Sequence, residues 1–141
     1  MNRRILKLLM ADGKMTYNEI AAKLRRSPST VRDRIRRLED DKVILGYYTI
    51  VNYEHMGLNA DAIVLASLQE GKTVEDLRKM KQVPGVMEVL QVSGGRRVMI
   101  RLNASDNRSL EETIYQQLIP MGLCDVETRI VLDYVASLPV I

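Results

Sequence analysis

The sequence predicts an α+β protein in two parts: a cluster of three short helices, then a βαββαβ domain of ferredoxin-like order. Three observations carry this. Apolar residues recur at helical spacing over residues 2–38, between clear cap signals. Past Gly46 the pattern changes to strand-like runs punctuated by Gly and Pro. The charge is lopsided: residues 1–45 hold 12 Lys and Arg against 6 Asp and Glu, whereas residues 46–141 hold 9 against 12.

The first helix is expected over Asn2–Ala11, with Ile5, Leu8 and Leu9 on one face. Thr16-Tyr17-Asn18-Glu19 fits a capping box, in which the Thr16 hydroxyl accepts from the Glu19 N–H and the Glu19 carboxylate reaches back. The helix it opens runs to Leu24, with Ile20, Ala21 and Leu24 in a stripe. Arg25-Arg26 leaves room only for a tight turn. Ser27-Pro28 opens a third helix, since Ser is a good N-cap and Pro suits the first helical position. There Val31, Ile35 and Leu38 form the inner stripe. At about 100° per residue the same stripe sends Ser29, Arg32, Asp33, Arg36 and Arg37 outward, with Thr30 and Arg34 on the flanks. Two short helices across a tight turn, the second rich in arginine, are the layout of a helix-turn-helix of winged-helix-like type, whose second helix lies in a DNA major groove. The basic excess sits in this part, where phosphate contacts are needed.

Tyr47–Val51 is β-prone and leads out of this part, and Gly57 and Asn59 mark a linker. The expected division is 1–46 for the helical domain, 47–60 for a β-prone linker and 61–141 for the second domain. In the second domain, Ala62–Leu68 reads as a strand. Thr73–Gln82 reads as a helix capped by Thr73 with Asp76 at its third position, and Val74, Leu77 and Met80 facing in. Pro84-Gly85 breaks the chain. Val86–Val92 and Arg97–Leu102 are paired strands around a Ser93-Gly94-Gly95-Arg96 turn. Ser109 or Asp106 caps a helix reaching Leu118, which Pro120 and Gly122 end. Val126–Val135 is the last strand. In this order both helices cover one sheet face and leave the other open. Val64, Val92, Met99, Ile100 and Val131 are available for an apolar open face, which makes a natural surface for a homodimer. Strand parity is left undecided.

Composition narrows the function classes. Apolar residues at 46% mark a globular chain. No run approaches about 18 consecutive apolar residues, so no membrane segment is expected. The amphipathic start without a cleavage site reads as a helix and not as a signal peptide, so the expected location is cytoplasmic. Trp and Phe are absent, which removes the stacking platforms that single-stranded nucleic acid favours. One histidine (His55) and one cysteine (Cys124) cannot build a zinc site, and neither a metal nor a cofactor is expected. Cys124 reads as a small buried residue, His55 as a linker residue, and the eight methionines as core filler. The Ser93–Arg96 run is too short for a phosphate-binding loop. Asp40-Asp41 reads as surface at a helix end.

This combination resembles the Lrp/AsnC family, the feast/famine transcription regulators. The stretch Ser29–Tyr48, STVRDRIRRLEDDKVILGYY, carries the resemblance most specifically. VPGVMEVLQVSGGRRVMIRL, VETRIVLDYV and the final SLPV extend it over essentially the whole chain. The resemblance implies a helical domain that binds double-stranded DNA as a homodimer on pseudo-palindromic sites. It also implies dimerisation through the βαββαβ sheet, further assembly into octamers, and a small effector, often an amino acid, held between dimers. Two departures stand out. Arg25 and Lys42 occupy positions where the family often has Gly, so either both tolerate a left-handed backbone or the turn differs. At the hairpin the family often shows Gly-Asp-Tyr-Asp, whereas this chain has Gly94-Gly95-Arg96-Arg97. Two guanidinium groups in place of carboxylates favour an anionic metabolite over an ammonium group. An exposed turn paired with nearby acids is the alternative.

The expected DNA-binding set is therefore Ser29, Thr30, Arg32, Asp33 and Arg36 for base edges, and Arg25, Arg26, Arg34 and Arg37 for phosphates, with Ser27 at the cap between them. Ser93, Gly94, Gly95, Arg96 and Arg97 are the expected effector residues. A non-specific DNA-organising protein would use the same helices, though a net charge of +3 is modest for one. An enzyme on this scaffold is disfavoured by the scarcity of histidine.

Overall fold

The computed structural model describes residues 1–95 and 97–135. They form two compact units, residues 1–51 and 52–135.

The first unit contains α1 (Asn2–Ala11), α2 (Tyr17–Leu24) and α3 (Pro28–Asp40). The capping box forms as the sequence predicts. The Glu19 N–H donates to the Thr16 hydroxyl at 3.3 Å, and the Thr16 N–H donates to the Glu19 carboxylate at 2.7 Å. Ile5, Ile20, Ala21, Val31, Ile35 and Leu38 bury one small core, with Leu8, Leu9, Leu24 and Ile44 packed around it. After α3, Lys42 takes a left-handed turn (φ 56°) and the N–H groups of Val43 and Ile44 both donate to the Leu38 carbonyl. Tyr47–Val51, β-prone by composition, joins no ladder among the described residues.

The second unit opens with a short 3₁₀ turn, Glu54–Met56, that the sequence did not signal. There follow β1 (Ala60–Leu68), α4 (Val74–Met80), β2 (Val86–Gln91), β3 (Val98–Ala104), α5 (Asn107–Thr113) and β4 (Leu123–Ile130). A π-helical turn, Ile114–Leu118, extends α5. The sheet order is β2-β3-β1-β4 with every neighbouring pair antiparallel. The alternation in β1 and β3 decides which parity faces the helices. Ala60, Ala62, Val64 and Ala66 of β1 and Val98, Ile100, Leu102 and Ala104 of β3 are buried with Leu77, Met80, Leu110, Ile114 and Leu118. The opposite parity, including Ile63, Leu65 and Met99, lies half-buried on the open face.

Several expectations need correction. Val64 and Ile100 belong to the helix-covered core and not to the open face. Val92 and Val131 fall just beyond strand ends. Of the three inward residues expected on α4, Leu77 and Met80 are buried but Val74 is 45% exposed, because it sits in the first turn beside the Thr73 cap. The last strand starts at Leu123 and ends at Ile130, three residues earlier and five residues shorter at its end than expected. It bulges at Asp125 (φ 49°), where the register against β1 shifts. Cys124 is half-buried, its thiol 3.6 Å from the Ser67 carbonyl. Asp106, and not Ser109, caps α5, accepting from the Ser109 N–H at 2.8 Å.

Candidate nucleic-acid interface and effector region

The turn between α2 and α3 is built by backbone geometry. Arg25 is left-handed (φ 53°, ψ 54°), as a tight turn at that position requires. Its N–H and that of Arg26 close on the Ala22 and Ala21 carbonyls at 3.3 and 3.0 Å. Both side chains are exposed.

Ser27 caps α3, its hydroxyl accepting from the Thr30 N–H at 3.3 Å. The same oxygen lies 3.1 Å from the Ser29 hydroxyl and 2.7 Å from that of Thr30. Three hydroxyls thus form one cluster at the start of the helix. Ser27 is committed to the cap, while Ser29 and Thr30 remain exposed. Further along, Arg32 Nε donates to the Asp33 carboxylate at 3.4 Å, which steers the guanidinium along the helix surface. Arg34 Nη1 donates to Asn2 Oδ1 at 3.2 Å and so ties α3 to the first turn of α1. Arg36 and Arg37 are exposed and have no carboxylate partner among the described residues. The exposed face of α3 therefore presents polar and cationic groups in helical register, backed by a fully buried apolar stripe.

Two contacts here had no sequence signal. Asn2 meets Arg34 across 32 residues, and Tyr47 donates its hydroxyl to Glu39 at 3.0 Å. Desolvation, and then that hydrogen bond, push the Tyr47 phenol up to about 12.

In the second unit the hairpin between β2 and β3 is closed by the Val92 N–H on the Arg97 carbonyl at 2.8 Å. Gly94 turns with φ 109°, and the Ser67 hydroxyl donates to the Gly95 carbonyl at 3.3 Å. Arg96 lies outside the described residues. The hairpin borders an open hollow of about 690 Å³ whose wall includes Ser67, Gln69, Glu70, Lys72, Gln91 and Arg97. Lys72 and Gln91 were not anticipated; only the sheet order brings them to the hairpin. Among the described residues no group of His, Cys, Asp and Glu is arranged to hold a metal ion.

On the open sheet face, Arg101 pairs with Asp61 at 2.8 Å, and the Tyr134 hydroxyl contacts both. The Arg101 guanidinium lies 5.3 Å from the Tyr134 ring centre. Beside this lock, Ile63, Leu65, Met99 and Leu90 form an apolar strip.

Comparison with known proteins decides the family. The winged helix-turn-helix DNA-binding family matches residues 1–44, and the Lrp/AsnC ligand binding domain matches residues 61–140. The chain belongs to the Lrp/AsnC family. It is similar to the transcriptional regulator FL11 of Pyrococcus furiosus, 28% identical over 93% of this chain and 87% of that one. It is also similar to the regulator AldR of Mycobacterium tuberculosis, 32% identical over 83% of this chain and 67% of that one. Among solved structures it matches a feast or famine regulatory protein of M. tuberculosis complexed with L-methionine, with a TM-score of 0.89 and 25% identity, covering 96% of this chain and 92% of that one. This Lrp/AsnC chain is thus a DNA-binding transcription regulator with the family's ligand-binding domain, and not an enzyme. No helix among its described residues is long and apolar enough to cross a membrane.

Proposed function

We propose that the chain is a sequence-specific regulator that reads duplex DNA with α3 as a homodimer and responds to a small ligand at the β2–β3 hairpin. The observation that carries the DNA reading is the exposed face of α3: hydroxyls at its start, then Arg32, Arg36 and Arg37, over a buried stripe that fixes their direction. Ser29, Thr30, Arg32, Asp33 and Arg36 read base edges; arginine favours guanine O6 and N7, and Asp33 orients Arg32. Arg25, Arg26, Arg34 and Arg37 hold phosphates, which position the helix without specifying sequence. Ser27 serves the interface through the cap.

Equilibrium binding after in-vitro site selection, at two salt concentrations and against random DNA, tests this. A pseudo-palindromic consensus bound about 10³-fold or more over random DNA is the expected result. Steep salt dependence with no enriched sequence would replace it with a DNA-organising function.

Dimerisation uses the open sheet face, where the strip of Ile63, Leu65, Met99 and Leu90 gains by being covered. Larger assemblies, up to octamers, build on that dimer. The ligand is sought at Ser93–Arg97 and the adjoining hollow. A related regulator has been solved with L-methionine, which makes amino acids the first class to screen. Lys72 and Arg97 outnumber Glu70 on the hollow's wall, which favours a ligand with an additional negative group. A stability screen in which methionine, leucine or lysine raises the melting temperature and no anionic metabolite does would overturn that preference.

A further inference from the structure

α1 carries a charge pattern that the reading of α2 and α3 leaves unused. Its sequence, NRRILKLLMA, holds Arg3, Arg4 and Lys7 and no acid. All three are exposed, and none has a carboxylate partner among the described residues. The helix starts without a side-chain cap and without an acid in its first turn, so nothing local offsets the two arginines. A packed core needs only Ile5 and its apolar neighbours from this helix; it has no use for paired guanidinium groups. The hydrogen bond from Arg34 to Asn2 sets the first turn of α1 against α3; Arg3 and Arg4 follow Asn2 in that turn and point to successive directions round it. The first turn of α1 is thereby joined to the flank of α3, so the cationic surface of α3 continues through Arg34 onto α1.

We infer that Arg3 and Arg4, exposed on the first turn of α1, add to Arg34 a second group of phosphate contacts that grips the DNA backbone beside the groove entered by α3. This rests on α3 being the DNA-reading helix. Continuity with that interface and the unneutralised positive charge together specify the partner: the phosphodiester backbone of the same duplex. Arg34 has two roles in this group. Its bond to Asn2 uses Nη1 alone and leaves the guanidinium's other N–H donors for a phosphate oxygen. Because phosphates carry no base information, the group adds affinity and orientation and leaves sequence preference untouched.

The test compares the full chain with the R3Q/R4Q and R3K/R4K variants on the selected operator and on random DNA, over a series of salt concentrations. Each phosphate neutralised contributes about 0.9 to the slope of log affinity against log salt. R3Q/R4Q is expected to lower the slope by about 1 to 2, to weaken operator and random DNA alike by on the order of tenfold, and to keep the consensus. R3K/R4K keeps the charge and is expected to keep the slope, which separates loss of charge from damage to the helix. An R3Q/R4Q slope equal to that of the unmodified chain, while that chain binds its operator, overturns the second group of contacts and leaves the α3 reading standing. Absence of DNA binding by the unmodified chain at low salt overturns both.

Discussion

Arg25 sits where the turn needs a left-handed residue, and an L side chain there costs about 1–2 kcal/mol relative to the right-handed region. Glycine lowers that cost but has more freedom to lose on folding. Arg25→Gly is therefore expected to stabilise the helical unit by about 0.5–1 kcal/mol, read as a higher melting temperature. With Arg25 on a phosphate as proposed, the same change is expected to lower the salt slope of DNA binding by about 0.9. A rise in stability with no change in slope would take Arg25 off the phosphates. Arg32→Ala is expected to relax preference at one base pair by about 1–3 kcal/mol with little change on random DNA, measured by competition with single-base operator variants.

Three caps share one titration behaviour. Backbone N–H donors at Thr16, Thr73 and Ser109 hold the carboxylates of Glu19, Asp76 and Asp106 below their ordinary values of 4.5, 3.8 and 3.8. Folding thus favours the ionised forms. Their contribution is full above those ordinary values and is lost as the pH falls through the lower folded ones. The melting temperature is expected to drop below about pH 4, and Glu19→Gln with Asp76→Asn to flatten that drop.

At the level of the element, the caps and breaks were the most legible part of the chain. Thr16, Ser27 and Thr73 begin their helices where the sequence placed them, because a cap is a local interaction between residues three apart. Ser27→Ala is expected to cost about 1 kcal/mol and to disperse the hydroxyl cluster at the start of α3. The end of β4 and the exposure of Val74 were not legible, since each depends on what the neighbouring element covers. Gly85 shows the difference. As a break after Pro84 it is plain in the sequence. That it must be glycine is decided by the fold, where φ is +86° and a Cβ would lie 2.2 Å from the Asn103 carbonyl oxygen. Gly85→Ala is expected to cost about 2 kcal/mol or more, seen as a lowered denaturation midpoint.

For the molecule as a whole, two units carry two tasks. The helical unit buries a small core and spends its surface on charge. The βαββαβ unit buries a larger core beneath its helices and leaves the opposite face half-buried and partly apolar. Leu65 lies at the centre of that face in β1, paired with Met99 on one side and Glu127 on the other. Leu65→Lys is expected to shift the protein from dimer to monomer in sedimentation while the far-ultraviolet spectrum is kept. An unchanged mass would overturn the proposed dimer through this face.

The sequence by itself determined the order of elements, the division of charge between the two parts, the apolar stripes of α1, α2 and α3, and the caps that start the helices. All of these follow from interactions within a turn or two of chain, where residue type and spacing suffice. The left-handed backbone at Arg25 and Lys42 was suggested only by the family resemblance, which left a different turn open, and the tertiary structure decided it. The tertiary structure alone decided which strand parity is buried, sending Val64 and Ile100 to the helices and leaving Ile63, Leu65 and Met99 on the open face. It alone brought Asn2 to Arg34, Asp61 and Tyr134 to Arg101, and Lys72 to the side of the hairpin. The hydrogen-bonded pairs among them join residues 32 to 73 positions apart, and only the closing of the core brings such groups within reach of each other.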